Sequence, residues 1–142
     1  MIWHKRYVRP TALERIRSNA ARKAGCILSA YRREKKLPVP SSGKTDLHHL
    51  KDGNKRMSEV YTIPLHSWYH ERVVPYPCES IEEARARYGA SLKDGSKAFV
   101  ASHGITERGL WEMVQTRMGM STEWPASKIF KRELETEAEV TP

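Results

Sequence analysis

The chain has 142 residues, 39% hydrophobic and 30% charged, enough for one modest globular core and too little for several domains. Twenty-five Lys and Arg against seventeen Asp and Glu leave a formal charge of +8, which favours a polyanionic partner, with nucleic acid ahead of a membrane surface. No apolar run approaches the ~20 residues needed to span a bilayer, and the first residues lack the apolar stretch and cleavage site of a signal peptide. Cys26 and Cys78 are too few and too far apart for a disulfide framework, so a reducing cytoplasm is the expected compartment. A core this small often gains stability from a metal.

The positive surplus is local. Residues 1–36 hold eleven basic side chains against only Glu14 and Glu34, more than the net charge of the whole chain. Lys5, Arg6, Arg9, Arg15, Arg17, Arg22, Lys23, Arg32 and Arg33 are therefore the expected contacts to a phosphate backbone. A solubilising surface is the plainer reading of the same charges. Trp3 and Tyr7 fit either core packing or stacking on exposed bases. Residues 11–36 read as helix: Thr11 and Glu14 stand at capping-box spacing behind Pro10. Leu13, Ile16, Ala20, Ala24, Ile27 and Leu28 recur at helical spacing as the expected core stripe, and Gly25 is a point where the helix can divide. Pro38-Val39-Pro40-Ser41-Ser42-Gly43 then ends the helical region.

Residues 45–50 and 60–65 are candidate strands, with Asp52-Gly53 favouring a tight reversal between them. The run 66–73 begins a helix, so strand, turn, strand and helix outline a ββα unit. Further helices are expected near 80–87, 94–102 and 105–118, the last with Ile105, Leu110, Trp111, Met113, Val114 and Met118 on an apolar face. The glutamates from Glu133 to Glu139 mark a solvated end. This divides the chain into a basic helical arm (1–40), a main domain (41–120) and a tail (121–142).

Four of the six histidines, His48, His49, His66 and His70, lie within 23 residues. Imidazole is both a common metal ligand and a proton acceptor near neutral pH, so clustering points to chemistry. Adjacent residues on a strand face opposite ways, so His48 and His49 would divide the work, one holding a metal and the other facing a phosphate. His66 and His70 are spaced to share one helical face. A structural metal site without catalysis, and a set of ordinary structural histidines, are the competing explanations of the pattern.

Asp46-Leu47-His48-His49-Leu50, a Gly-containing turn, and Tyr61-Thr62-Ile63-Pro64-Leu65-His66-Ser67-Trp68-Tyr69-His70 together resemble the His-Asn-His (HNH, ββα-metal) endonuclease motif. More narrowly, the segment is similar to the phage Ref-like recombination-enhancement nucleases, a RecA-dependent family. Gly95-Ser96-Lys97-Ala98-Phe99 followed by His103-Gly104 resembles that family's downstream block, and the likeness runs over about residues 26–115. The resemblance implies an α+β fold: an HNH ββα-metal, treble-clef-like core with a short β-hairpin, surrounded by helices. It implies a metal-dependent DNA endonuclease that hydrolyses phosphodiester bonds, phage-encoded, linked to recombination and working in the cytoplasm of a bacterial host. By position, His48 and His70 would be metal ligands and His49 the general base. His66 stands where the family usually has a Cys of a structural zinc site, and is either a further ligand or a relic of that site. The implied cofactor is a divalent metal, Mg²⁺ or Mn²⁺ for catalysis, with Zn²⁺ also suited to imidazole. The implied partners are DNA and a RecA filament, with no membrane.

The chain departs from the family's pattern in four places. The usual Cys-x-x-Cys appears as Cys26 with Ser29, Tyr69 replaces a frequent His, and Lys93 lies near the place of another. The middle Asn of the motif has no obvious counterpart among Asn54, Ser58, Glu59 and Tyr61. Two further readings stay open: a catalytically degenerate DNA-binding or recombination accessory protein on the same scaffold, and a phage protein that docks on an acidic host protein.

Overall fold

The computed structural model describes residues 11–53 and 55–123. Lys5, Arg6, Arg9, Trp3, Tyr7, Asn54 and the glutamate-rich end lie outside those residues. Helix α1 (Ala12–Ala24) starts as its sequence predicts: the Thr11 hydroxyl accepts from the Glu14 N–H, and the Glu14 carboxylate accepts from the Thr11 N–H. Gly25, at φ 87°, ends α1, and α2 (Ile27–Glu34) follows after one further residue.

The buried face of α1 is not the apolar stripe. Leu13 and Ile16 are 78% and 64% exposed, whereas Arg17, Ser18 and Ala21 are buried. Hydrogen bonding explains the reversal. The Arg17 guanidinium donates to Gln115 Oε1 (2.8 Å), Thr62 Oγ1 (2.7 Å) and the Thr62 carbonyl (3.0 Å), and Ser18 Oγ donates to Glu59 Oε2 (2.9 Å). A buried guanidinium is tolerable only when its N–H groups are matched in this way. Ile27 and Leu28 of α2 do enter the core as expected.

Strand β1 (Thr45–His49) continues into β2 (Lys51–Asp52), which turns at Gly53 (φ 65°) into β3 (Lys55–Arg56). A 3-10 turn over Glu59–Tyr61 takes the place of the first residues of the second expected strand. Strand β4 (Thr62–His66) then pairs antiparallel with β1, Thr45 opposite His66 and His49 opposite Thr62. The two ladders, β1 with β4 and β2 with β3, are separate two-stranded sheets. Pro64 sits in β4 without cost to a further ladder, because β4 has only one neighbour.

Helix α3 (Ser67–Glu71) follows β4 directly and stops at Arg72, which has a left-handed backbone (φ 58°). Val73, Val74 and Pro75 cannot carry it further, since β-branched residues and the position before proline both disfavour helix. Helices α4 (Ile81–Tyr88), α5 (Ser96–His103) and α6 (Glu107–Arg117) complete the mixed α+β body. Arg72 and Arg85 both bond Asp94, and the Arg85 hydrogen bond foremost holds that carboxyl down to about 2. The core gathers Leu28, Ile63, Leu65, Trp68, Tyr69, Phe99, Leu110 and Trp111, drawn from β4 and from helices on every side of it. Trp68 Nε1 donates to the Gly89 carbonyl (3.0 Å) and the Tyr69 hydroxyl to that of Tyr88 (3.1 Å), so the large rings are buried without unmet polar ends.

His103 is a core residue: its Nε2 donates to the Ala90 carbonyl (2.7 Å) while Nδ1 meets Arg32 Nη1 (3.3 Å). Burial pushes its pKa below the ordinary value; the Ala90 bond opposes this and Arg32 adds to it. The folded state therefore resists a proton that the unfolded chain accepts. Its contribution is complete above the unfolded pKa and fades as pH falls towards the lower folded one. The urea midpoint should fall between pH 7.5 and 5.5, and fall less in His103→Gln; equal slopes in the two proteins would contradict this. Arg17→Ala should cost about 2–4 kcal/mol by stranding Gln115 and Thr62. Exposed Arg22→Ala should change stability by less than ~0.5 kcal/mol, and denaturation curves that fail to separate the two would refute the structural role of Arg17.

Candidate active site

The two-residue period of β1 puts Asp46 and His48 on one face and His49 on the other. Helix α3 presents His70 to the first face. Asp46 Oδ2 lies 3.1 Å from His70 Nδ1, and the His48 and His70 rings meet edge to face, 5.2 Å between centroids at 64°. The first residue of α6, Glu107, places Oε1 2.5 Å from His48 Nε2. His48, His70 and Glu107 are among the half-buried lining of an open cavity of about 630 Å³, and Lys51, Lys93 and Arg108 are among its exposed lining.

A carboxylate can only accept, so the proton of the His70–Asp46 pair sits on Nδ1. The other nitrogen, His70 Nε2, lies 3.6 Å from Glu71 Oε1. A carboxylate behind one imidazole nitrogen is the usual way to orient the other towards a metal. His48 is held differently, with its Nε2 against the Glu107 carboxylate, and imidazole as a donor suits a divalent transition ion. Among the described residues no group of three or more His, Cys, Asp or Glu is placed to hold a metal ion. Two imidazoles are too few donors for a closed structural cage.

His49 lies across the strand. Its Nε2 is 2.8 Å from Glu59 Oε1, Glu59 Oε2 accepts from Ser18, and Arg56 Nη2 stands 3.0 Å from His49 Nδ1. Burial pushes the His49 pKa below the ordinary value; the bond to Glu59 works against this, while Arg56 and His48 reinforce it. Burial also pulls the Glu59 carboxyl up, but the bonds from His49 and Ser18 outweigh it and the net shift is down. The result is a neutral imidazole against an ionised carboxylate, with Nδ1 as the acceptor nitrogen.

His66 is placed differently from the expectation that it could join the metal ligands. Its Nδ1 accepts from the Trp68 N–H (2.9 Å), capping α3, and its Nε2 donates to the Ser42 carbonyl. Both nitrogens are committed and the residue is buried, which corrects that reading. The close approach of the Ser42 loop relies on Gly43 (φ 110°), where a Cβ would stand 2.6 Å from His66 Nε2. Cys26 caps α2 by accepting from the Ser29 N–H (3.3 Å), and both cysteines are free thiols.

The basic residues of the expected phosphate arm also divide. Arg15, Arg22, Lys23 and Arg33 are exposed. Arg17 and Arg32 are buried at 4% and 6% exposure, with guanidiniums bonded inside the protein, and this corrects their assignment to phosphate contact. Three polar partners were missed by sequence reasoning. Asp46 had a signal, since it stands two residues before His48 on the same strand face. Glu59 stood near the place of the motif's missing Asn but with no sign of its contact to His49, and Glu107 had no signal, because nothing local ties a distant helix start to this strand.

Among the described residues no helix is long and apolar enough to cross a membrane. No curated protein and no solved structure matches the chain significantly. Residues 10–118 match the family model described as recombination enhancement, RecA-dependent nuclease. The matched span takes in α1 through α6, and with them both histidine-bearing faces of β1. With most of its length covered by that match, the chain belongs to the recombination-enhancement, RecA-dependent nuclease family.

Proposed function

We propose that this family member is a phage-encoded, metal-dependent DNA endonuclease of the HNH type, acting on DNA engaged by a RecA filament. In this reading β1, β4 and α3 are the ββα-metal core, and His48 and His70 hold a divalent cation, Mg²⁺ or Mn²⁺ in turnover. The observation that carries it is the convergence of those two imidazoles on one cavity, with Asp46 ordering His70 from behind. A divalent ion bound there would supply Lewis-acid stabilisation of charge on the phosphate and the leaving oxygen.

The remaining work falls to the chain's own side chains. His49, neutral and oriented by Glu59, accepts the proton of the attacking water through Nδ1. Arg56 covers that nitrogen, so it must turn to a substrate phosphate before His49 can act. Because His48 and His49 face opposite ways, the scissile phosphate must lie over the end of β1, within reach of both. Lys51, Lys93 and Arg108 then contact phosphates on either side. Lys93 and Arg108 are paired with Glu71 (3.3 Å) and Glu112 (3.5 Å), exposed ion pairs of under ~1 kcal/mol that a phosphate can displace. Exposed Arg15, Arg22, Lys23 and Arg33 extend the basic surface.

A DNA-binding accessory that does not cleave is the second reading, and the position of His49 away from the cavity favours it. Plasmid nicking with Mg²⁺ and Mn²⁺ separates the two. His49→Ala should nick ~10²–10⁴-fold more slowly with DNA affinity nearly unchanged. Wild-type nicking rates in that variant would remove His49 as base, and a wild type that binds DNA but never nicks would establish the accessory reading. The triple variant Lys51→Ala, Lys93→Ala, Arg108→Ala should flatten the slope of log affinity against log salt by about 2–3. An unchanged slope would mean that these three side chains do not meet phosphate.

A further inference from the structure

We infer that the outer face of α1 is a docking surface for a protein partner that offers an apolar groove bordered by carboxylates. That the partner is the RecA filament rests on the reading above. Helix α1 is amphipathic, but its polar side faces in. Arg17, Ser18 and Ala21 are buried, whereas Leu13, Ile16, Ala20 and Ala24 are all exposed. These stand at i, i+3, i+7 and i+11, a stripe of about 16 Å at ~1.5 Å rise per residue. Single exposed aliphatic side chains are ordinary, but a stripe at these intervals is how a helix seats in the groove of another protein. The face is also locked outward. Arg17 is bonded to Gln115 and Thr62, and Ser18 to Glu59, so α1 cannot roll to bury Leu13 and Ile16 without stranding those groups.

Charge sets the partner's chemistry. Exposed Lys23 stands three residues beyond Ala20, at the edge of the stripe, and Arg22 is exposed further round the helix. Glu14, the one acid of α1, is tied to its own cap. Carboxylates around an apolar groove complement that face. A phosphate backbone would satisfy the two cations but give Leu13 and Ile16 nothing apolar to pack against, which favours protein over DNA. A contact of this kind is one physical basis for the RecA dependence in the family's description. It would also lie close to the proposed base. Ser18 Oγ donates to Glu59 Oε2 (2.9 Å) and Glu59 Oε1 is 2.8 Å from His49 Nε2, so a partner on the outer face stands about one helix diameter, ~10 Å, from these groups.

The test compares binding of the full chain to RecA filaments assembled on single-stranded DNA with binding to the same DNA naked. The double variant Leu13→Ser, Ile16→Ser should bind the filament at least ~10-fold more weakly and naked DNA as wild type does. Val73→Ser, at an aliphatic residue 54% exposed outside α1, should change neither. If wild type prefers the filament and the double variant prefers it equally, this inference fails alone. If wild type binds filament and naked DNA alike, the RecA reading falls and this inference with it. Loss of naked-DNA binding in the double variant would assign the stripe to DNA instead. Thermal melts and sedimentation report the remaining occupants. The two serines should leave stability within ~0.5 kcal/mol of wild type, as exposed positions do. A loss like that of a core truncation would mean that the chain's own residues cover the stripe. A wild-type dimer that the double variant breaks would mean that a second copy does. Either result overturns the inference.

Discussion

The antiparallel pairing of β1 with β4, Thr45 opposite His66, is the constraint on which the site's distances depend. It sets Asp46 and His48 towards α3, sends His49 to the other side, and starts α3 where His70 can return to the same face. Side chains on a strand alternate with a period of two, so a one-residue slip would exchange the two histidines and carry Asp46 away from His70. The register is held by burial. Every residue of β4 is buried, and Ile63 and Leu65 would have to trade places with polar partners for the strand to shift.

Around that pairing the protein uses polar bonds where a larger domain would use apolar area. Arg17 links α1 to β4 and to Gln115 on α6 in one set of hydrogen bonds. Ser18 carries the same helix to Glu59, and Glu59 carries it to His49. His66 caps α3 while pinning the Ser42 loop, and His103 joins α5 to the segment after α4. His49, His66 and His103 each owe their tautomer to a named neighbour, which is how a small core keeps polar groups buried without leaving donors or acceptors unmet. Among the described residues no buried side-chain polar atom lacks a partner.

The two faces of β1 have separate electrostatic characters. On the cavity side, carboxylates stand behind or beside both imidazoles and exposed cations surround them, an arrangement suited to a metal cation within and phosphate without. On the other side a neutral imidazole rests between an ionised carboxylate and a guanidinium. A phosphodiester at the end of the strand would meet both environments at once. On the proposed reading, proton transfer and charge stabilisation would come from opposite sides of one backbone.

Much of this was legible along the chain because it depends on local physics. The Thr11–Glu14 cap, the glycine break at Gly25, the strand–strand–helix order and the opposite facing of His48 and His49 each follow from bonding or periodicity within a few residues. The double histidine and the Thr-Ile-Pro-Leu string pointed to the family that the comparison then showed. What only the tertiary structure decided are the partners distant in sequence: Arg17 turned inward to Gln115 and Thr62, Glu59 behind His49, Glu107 against His48, and His66 drawn away to Ser42. The α1 stripe of Leu13 and Ile16 faces solvent for the same reason. A hydrophobic pattern predicts which face a helix could bury, but a guanidinium hydrogen-bonded inside the protein at all three nitrogens can outweigh two aliphatic side chains, and its acceptors lie on segments that sequence spacing cannot bring together.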